Sequence, residues 1–366
     1  MDWFEIENIS EIDSPALVIY KDRVRQNIAR AIRMSGNPGK LRPHVKTNKI
    51  AEVCTMMMDA GISKFKCATI AEAEMLAQVK AKDVLLAYQP VGPKAERFIE
   101  LQRSYPATYF SCIVDHIVVA QQLSELGKKN EQTIHVYIDL NTGMNRTGIQ
   151  PAHALHLFEA IQLLPFIRVI GLHAYDGNIR DTDLVVRQHK SDEAFQKVLI
   201  LSEALESVTN HPLTVVVGGS PTFPTHIHRE HVECSPGTFV FWDWGYKQIA
   251  PDEPFEYAAL VITRVISLID QQTICLDLGH KSVAAENPLP RVAFLNAPEA
   301  LPVSQSEEHM VLKVPDASIY TIGDVLYAVP VHICPTVALY DTAAVIENNN
   351  ATDTWNVIAR KRKINI

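Results

Sequence analysis

Eight short apolar, strand-like runs recur along the first two thirds of the chain, at 41–46, 64–68, 83–88, 108–114, 134–140, 167–175, 213–219 and 232–239. Most gaps between them carry the spacing of an amphipathic helix, as at 70–79, 117–126, 153–164 and 192–208. Strands alternating with helices predict parallel strands joined by crossover helices. Eight such units predict a closed (β/α)8 TIM barrel. The alternative is an open doubly wound sheet. Neither a glycine-rich dinucleotide loop nor a Walker sequence occurs, so the usual reason to prefer it is missing.

The rhythm changes near residue 250. Extended runs at 258–268, 273–278, 309–314 and 325–334 follow, punctuated by Pro251, Pro254, Pro288, Pro290, Pro298 and Pro302. This region reads as a mostly β domain. Near the start, 16–20 reads as a strand, followed by a helix over 23–34 that Asp22 caps. The expected division is therefore an N-terminal strand in 1–20 joining the β domain, a barrel over 21–250 and a C-terminal β domain over 251–366.

Charge and cysteine usage narrow the partners. A net charge of -8 argues against nucleic acid and leaves a small molecule as the expected partner. The one basic run, Arg360-Lys361-Arg362-Lys363, reads as a frayed tail. The N-terminus lacks the pattern of a signal peptide, and no stretch reaches the length of a membrane span. Six scattered cysteines without a CxxC pair suit free thiols in a reducing cytoplasm.

In such a barrel the functional groups gather at the C-terminal strand ends. The first strand ends in Arg42-Pro43-His44-Val45-Lys46-Thr47. A lysine there can condense with an aldehyde if burial or a cationic neighbour lowers its pKa, and Arg42 and His44 are candidate neighbours. The seventh strand ends in Gly218-Gly219-Ser220-Pro221-Thr222 and the eighth in Ser235-Pro236-Gly237-Thr238. Glycines there admit close backbone approach, and amides with hydroxyls satisfy an anion, so these loops predict a phosphate site. His173 and Tyr175 share one face of the sixth strand; for His173 alone, a satisfied core histidine is the simplest reading. In the β domain, His332 and Cys334 alternate and on a strand would project together, an imidazole and a thiolate able to hold zinc with open positions. The histidine-rich 226–231 reads as a solvated loop. Asp277-Leu278-Gly279-His280-Lys281 reads as a turn with structural hydrogen bonds, and the role of Glu307-Glu308-His309 is open.

Arg42-Pro43-His44-Val45-Lys46-Thr47 resembles the cofactor-lysine motif of the D-threonine aldolase and D-serine dehydratase group, part of the alanine-racemase-like, fold type III class of pyridoxal phosphate (PLP) enzymes. The two Gly/Ser/Thr loops resemble that group's phosphate loops. Met144-Asn145-Arg146-Thr147-Gly148 is similar to its Met-x-Arg-x-Gly segment, and His332-Ile333-Cys334-Pro335-Thr336 to its metal motif, which in some aldolases carries Asp instead of Cys. Family members often have Asn at the position of Val331. The resemblance implies a PLP-carrying barrel plus a C-terminal mostly-β domain, and a homodimer. It implies Lys46 as the covalent cofactor lysine, Arg146 toward the cofactor's phenolic oxygen and Tyr175 at its ring. It implies a divalent metal, zinc or manganese, on His332 and Cys334. The implied activity is a D-threonine aldolase-like lyase of D-β-hydroxy-α-amino acids. The alternatives are D-serine dehydratase, then an amino-acid racemase or a non-catalytic PLP-binding protein, against which the second domain argues.

Overall fold

The computed structural model describes residues 2–209 and 213–366, which form two compact bodies. One comprises 2–30, 47–53 and 238–360, the other 31–46, 54–209, 213–237 and 361–366. The sequence division at 20/21 and 250/251 falls elsewhere, because 21–30 and 238–250 cluster with the β body and 361–366 with the barrel body.

Strand β1 (Ala16–Tyr20) belongs to the β body. The barrel body carries β2 (Lys64–Cys67), β3 (Asp83–Leu86), β4 (Tyr109–Val114), β5 (Ile134–Leu140), β6 (Ile167–Ala174), β7 (Thr214–Val217) and β8 (Val232–Cys234), all parallel and in sequential order. Helices fill the crossovers, including α3 (Ile70–Gln78), α4 (Pro93–Ser104), α5 (Ile117–Lys129), α6 (Pro151–Gln162), α7 (Leu184–Thr209) and the short α8 (Phe223–His226); α1 (Lys21–Ser35) and α2 (Ala51–Asp59) precede them.

The expected first strand, 41–46, is not a regular strand. It makes only isolated bridges, Leu41 to Cys234 and His44 to Lys66. Pro43 has no N–H to give a ladder. The segment still closes the ring. On one side Arg42 N donates to Cys234 O at 2.8 Å and His44 N to Pro236 O at 3.0 Å; on the other Lys66 N donates to Pro43 O and Val45 N to Lys66 O, both at 2.9 Å.

The barrel interior is layered. Buried Arg42 donates to both Asp83 oxygens, at 2.7 and 2.9 Å, and to Glu233 at 2.6 Å, while Lys64 pairs with the same Glu233. Fully desolvated charges persist only when so paired. Leu85, Ile113, Tyr137 and Val216 form the next layer. Gly171 leaves room for the Tyr137 ring, since a Cβ on Gly171 would lie 2.4 Å from it.

The β body holds β9 (Ala259–Asp270), β10 (Thr273–Leu276), β11 (Val292–Phe294), β12 (Leu301–Gln305), β13 (Met310–Lys313), β14 (Val325–Pro330), β15 (Thr342–Glu347) and β16 (Asn350–Asn356), with short helices α9 (Trp244–Ile249) and α10 (Ile333–Val337). Its sheet runs β12-β13-β10-β9-β1-β15-β16, and β14 pairs with β9 and β11. Strand β1 lies antiparallel to β9 and parallel to β15. Two apolar clusters cover the sheet, one around Ile274, Leu312 and Leu326 and one around Phe4, Val18 and Leu260. Strands β11, β12, β15 and β16 escape the sequence pattern. The last two are joined by Asn348-Asn349 at φ 49° and 60°, a two-residue hairpin turn that favours asparagine.

The C-terminal residues are not a frayed tail. Arg97 donates to the carbonyls of Arg362 and Ile366, and buried Glu74 accepts from the backbone and side chain of Asn365. A buried carboxylate needs such partners, and the tail supplies them.

Candidate functional site

At the C-terminal mouth of the barrel body, Lys46, Arg146 and Lys66 converge on one aromatic ring. Lys46 Nζ lies 5.8 Å from the centroid of Tyr175, Arg146 Cζ 5.4 Å and Lys66 Nζ 5.6 Å. Tyr175 follows β6 and is half buried, wedged over two glycines: a Cβ on Gly177 would lie 2.3 Å from its ring and one on Gly219 3.2 Å. Lys46 is half buried and Arg146 exposed. The two expected cationic neighbours of Lys46 both have hydrogen-bond partners. Arg42 is engaged in the ion cluster described above, and His44 Nδ1 accepts from the backbone N of Lys46 at 3.3 Å.

Lys66 is the residue the sequence reading missed. It is 2% exposed, and its Nζ lies 3.3 Å from His173 Nε2. The other ring nitrogen, Nδ1, lies 2.6 Å from Asp139. The carboxylate accepts from Nδ1–H, which leaves Nε2 to accept from Lys66. Lys66 is on β2 and His173 on β6, with three strands between them, so the two meet across the barrel interior. Burial, then repulsion by Lys46, pushes the Lys66 amine down to about 7, against the pull of Asp139 and Asp176. Burial, then Lys66, lowers His173 and keeps it neutral despite Asp139. The parity of Lys64-Phe65-Lys66-Cys67 was the available signal: both lysines share the face opposite Phe65 and Cys67.

The loop after β7 is built from within. Gly218 has φ +78°. Gly219 N donates to Thr222 Oγ1 at 3.1 Å, and that hydroxyl donates to Asp176 at 2.8 Å. Thr222, expected to face an anion, thus holds the loop's shape. Ser220 Oγ accepts from Gly237 N at 3.3 Å, joining the two predicted phosphate loops. His226, expected in a solvated loop, is buried; its Nε2 contacts Asp176 at 2.8 Å and Ser191 Oγ at 2.9 Å. Buried Asp176 needs these donors. His228 and His231 are exposed.

The β body places the metal-like pair differently from expectation. Strand β14 ends at Pro330, and His332 is the N-cap residue of α10, which contains Cys334. Thr336 Oγ1 donates to His332 O at 2.8 Å, and Ile333 N to Asp243 at 3.0 Å, which curls the chain here. The two side chains still meet. Burial pulls the His332 imidazole down, but its hydrogen bond and charge interaction with Cys334, then Glu286 and Asp243, raise it to about 9. Thr47 Oγ1 lies 3.1 Å and Thr238 Oγ1 3.6 Å from Cys334 Sγ. Among the described residues, no group of three or more His, Cys, Asp or Glu is arranged to hold a metal. The pair nevertheless fits two positions of a divalent ion that accepts nitrogen and sulfur. Elsewhere in this body, Asp277 accepts from Thr263, Arg264 N and Ser14, and exposed Glu307 and Glu308 pair with Lys281.

A model of the alanine racemase N-terminal domain matches residues 19–243, and one of a putative serine dehydratase domain matches 258–346. The chain belongs to the alanine racemase N-terminal domain family. It is 26% identical to a D-threonine aldolase of Arthrobacter sp, over 96% of this chain and 94% of that one. It is 25% identical to a D-threo-3-hydroxyaspartate dehydratase of Delftia sp. (strain HT23), over 95% and 98%. The solved D-threonine aldolase of Filomicrobium marinum superposes with a TM-score of 0.88 at 26% identity, covering 96% and 97% of the two chains. The parallel β/α barrel body and separate β body are the architecture of this family. Among the described residues, no helix is long and apolar enough to cross a membrane.

Proposed function

We propose that the protein is a PLP-dependent lyase of D-β-hydroxy-α-amino acids, cleaving D-threonine-like substrates to glycine and an aldehyde. The observation that carries this reading is the convergence of Lys46 and Arg146 on Tyr175 beside a glycine loop, in a chain of this family.

Lys46 is the amine that would hold the cofactor's aldehyde. Gly218, Gly219, Ser220 and Gly237 would cradle the phosphate, while Thr222 keeps the loop in shape. Tyr175 would face the cofactor ring, and Arg146 would offer a permanent cation to its phenolic oxygen. His173 holds Lys66 beside Tyr175. Bound PLP supplies an electron sink for the pair released from the breaking Cα–Cβ bond. His332 and Cys334 would hold a divalent ion, zinc or manganese, whose chemistry would be to acidify a β-hydroxyl. In the net reaction that hydroxyl loses a proton and Cα gains one. The working form is a homodimer in the cytoplasm, its sequence divided as an N-terminal strand, a barrel and a β domain.

A second reading is dehydration of a D-β-hydroxy amino acid to ammonia and a 2-oxo acid, with Lys46 removing the α-proton. The putative serine dehydratase match over 258–346 favours it, because that stretch carries His332 and Cys334. Product analysis separates the two. Purified protein with PLP is given D-threonine and D-serine, each with zinc, manganese or a chelator. Glycine plus acetaldehyde from D-threonine, lost on chelation, is the expected result. Ammonia plus a 2-oxo acid establishes the dehydratase instead. Failure of Lys46→Ala to abolish the visible absorbance of the bound cofactor would sink both.

A further inference from the structure

We propose that Lys66, held by His173 and Asp139 under the Tyr175 ring, is a second cofactor-facing amine that takes up a proton as the anionic ring of pyridoxal phosphate binds. This rests on the reading that PLP binds at this mouth. The geometry carries the argument. A lysine on β2 reaches across the barrel to His173 on β6 and lies as close to Tyr175 as Lys46 and Arg146 do. Three basic side chains around one ring make a site for an anion. Lys66 differs from the other two in being almost wholly buried.

The groups that act on Lys66 are Lys46 and Arg42 from the closing segment, Asp139 from β5, and His173 and Asp176 from β6 and the loop after it. Neutral His173 accepts one Lys66 hydrogen and leaves the amine able to gain a proton. With its amine held near 7, Lys66 is mostly neutral in the free protein above that pH. A phenolate and a phosphate arriving nearby favour its charged form. By linkage, ligand binding and proton binding strengthen each other. Arg146 is permanently charged and cannot supply this coupling.

The test uses 4'-deoxypyridoxine phosphate, which keeps the phenol and phosphate but lacks the aldehyde, so Lys46 forms no bond to it. Calorimetric titrations in buffers of different ionisation enthalpy count the protons taken up, for wild type, K66R and K66M between pH 6 and 9. Wild type is expected to take up close to one proton more than K66R at pH 8. Its dissociation constant should weaken by up to about tenfold per pH unit above 7 relative to that of K66R. K66M should bind at least about tenfold more weakly than wild type at pH 6.5, where wild-type Lys66 is charged. Equal proton counts in wild type and K66R overturn the inference, and so does unaltered binding by K66M at pH 6.5. If no variant binds the analogue and PLP fails to react with Lys46, the proposed function itself falls.

Discussion

Lys66 carries a stability signature of its own. Its amine is near 7 in the fold and near 10.4 in an unfolded chain, so between those values the unfolded state binds more protons and stability rises with pH. Below 7 both states are protonated, and the cost of burying the cation is fully present. Lys66→Met removes that cost. Its melting temperature relative to wild type should therefore climb as pH falls from about 10 to 7, and level off below. Thermal melts of both proteins across that range check it; a difference independent of pH would show that the folded amine is not depressed. Gly171 makes a steric demand. A Cβ there would lie 2.4 Å from both the Tyr137 ring and Thr214 O, one of them backbone. Gly171→Ala should cost about 1–3 kcal/mol, read as a lower denaturant midpoint with unchanged m.

At the scale of elements, the loop after β7 depends on the Asp176–Thr222–His226 cluster behind it. Thr222→Val keeps the shape but strands the Gly219 amide and removes a donor to Asp176. It should lose about 1 kcal/mol of stability and weaken PLP binding about tenfold. A PLP titration by absorbance, with Ser191→Ala as a milder companion, measures the second effect. The docked C-terminal segment gives another check. Arg97→Ala frees the carbonyls of Arg362 and Ile366. The backbone amides of 361–366 should then exchange hydrogen several-fold faster, since exchange follows the population of the open form.

For the molecule as a whole, a cofactor that binds only the native state raises stability by mass action, by about 2.7 kcal/mol at a hundredfold excess over its dissociation constant. PLP should raise the melting temperature of wild type and raise that of Lys46→Ala less. Light scattering should report twice the chain mass. A chelator should abolish turnover while the cofactor's absorbance stays, because Lys46 rather than the His332–Cys334 pair would carry the cofactor.

Much of this was legible in the chain. Alternating periodicity marks β2 to β8 and the helices between them because parallel strands buried on both faces need apolar runs and crossovers need amphipathic helices. Tyr175 and the glycine loops follow strand ends, Lys46 ends the closing segment and Arg146 lies in the loop after β5, where a barrel presents chemistry. Polar strands such as β16 were hidden, since their ladder partners rather than their side chains make them strands. So was the curl that turns His332 and Cys334 from a strand face into a helix start. Lys66 shows the limit most plainly. Parity tells that Lys64 and Lys66 share a face. Only closure of the ring decides that this face is the interior and that its neighbour across it is His173, because that contact joins strands the sheet itself keeps apart.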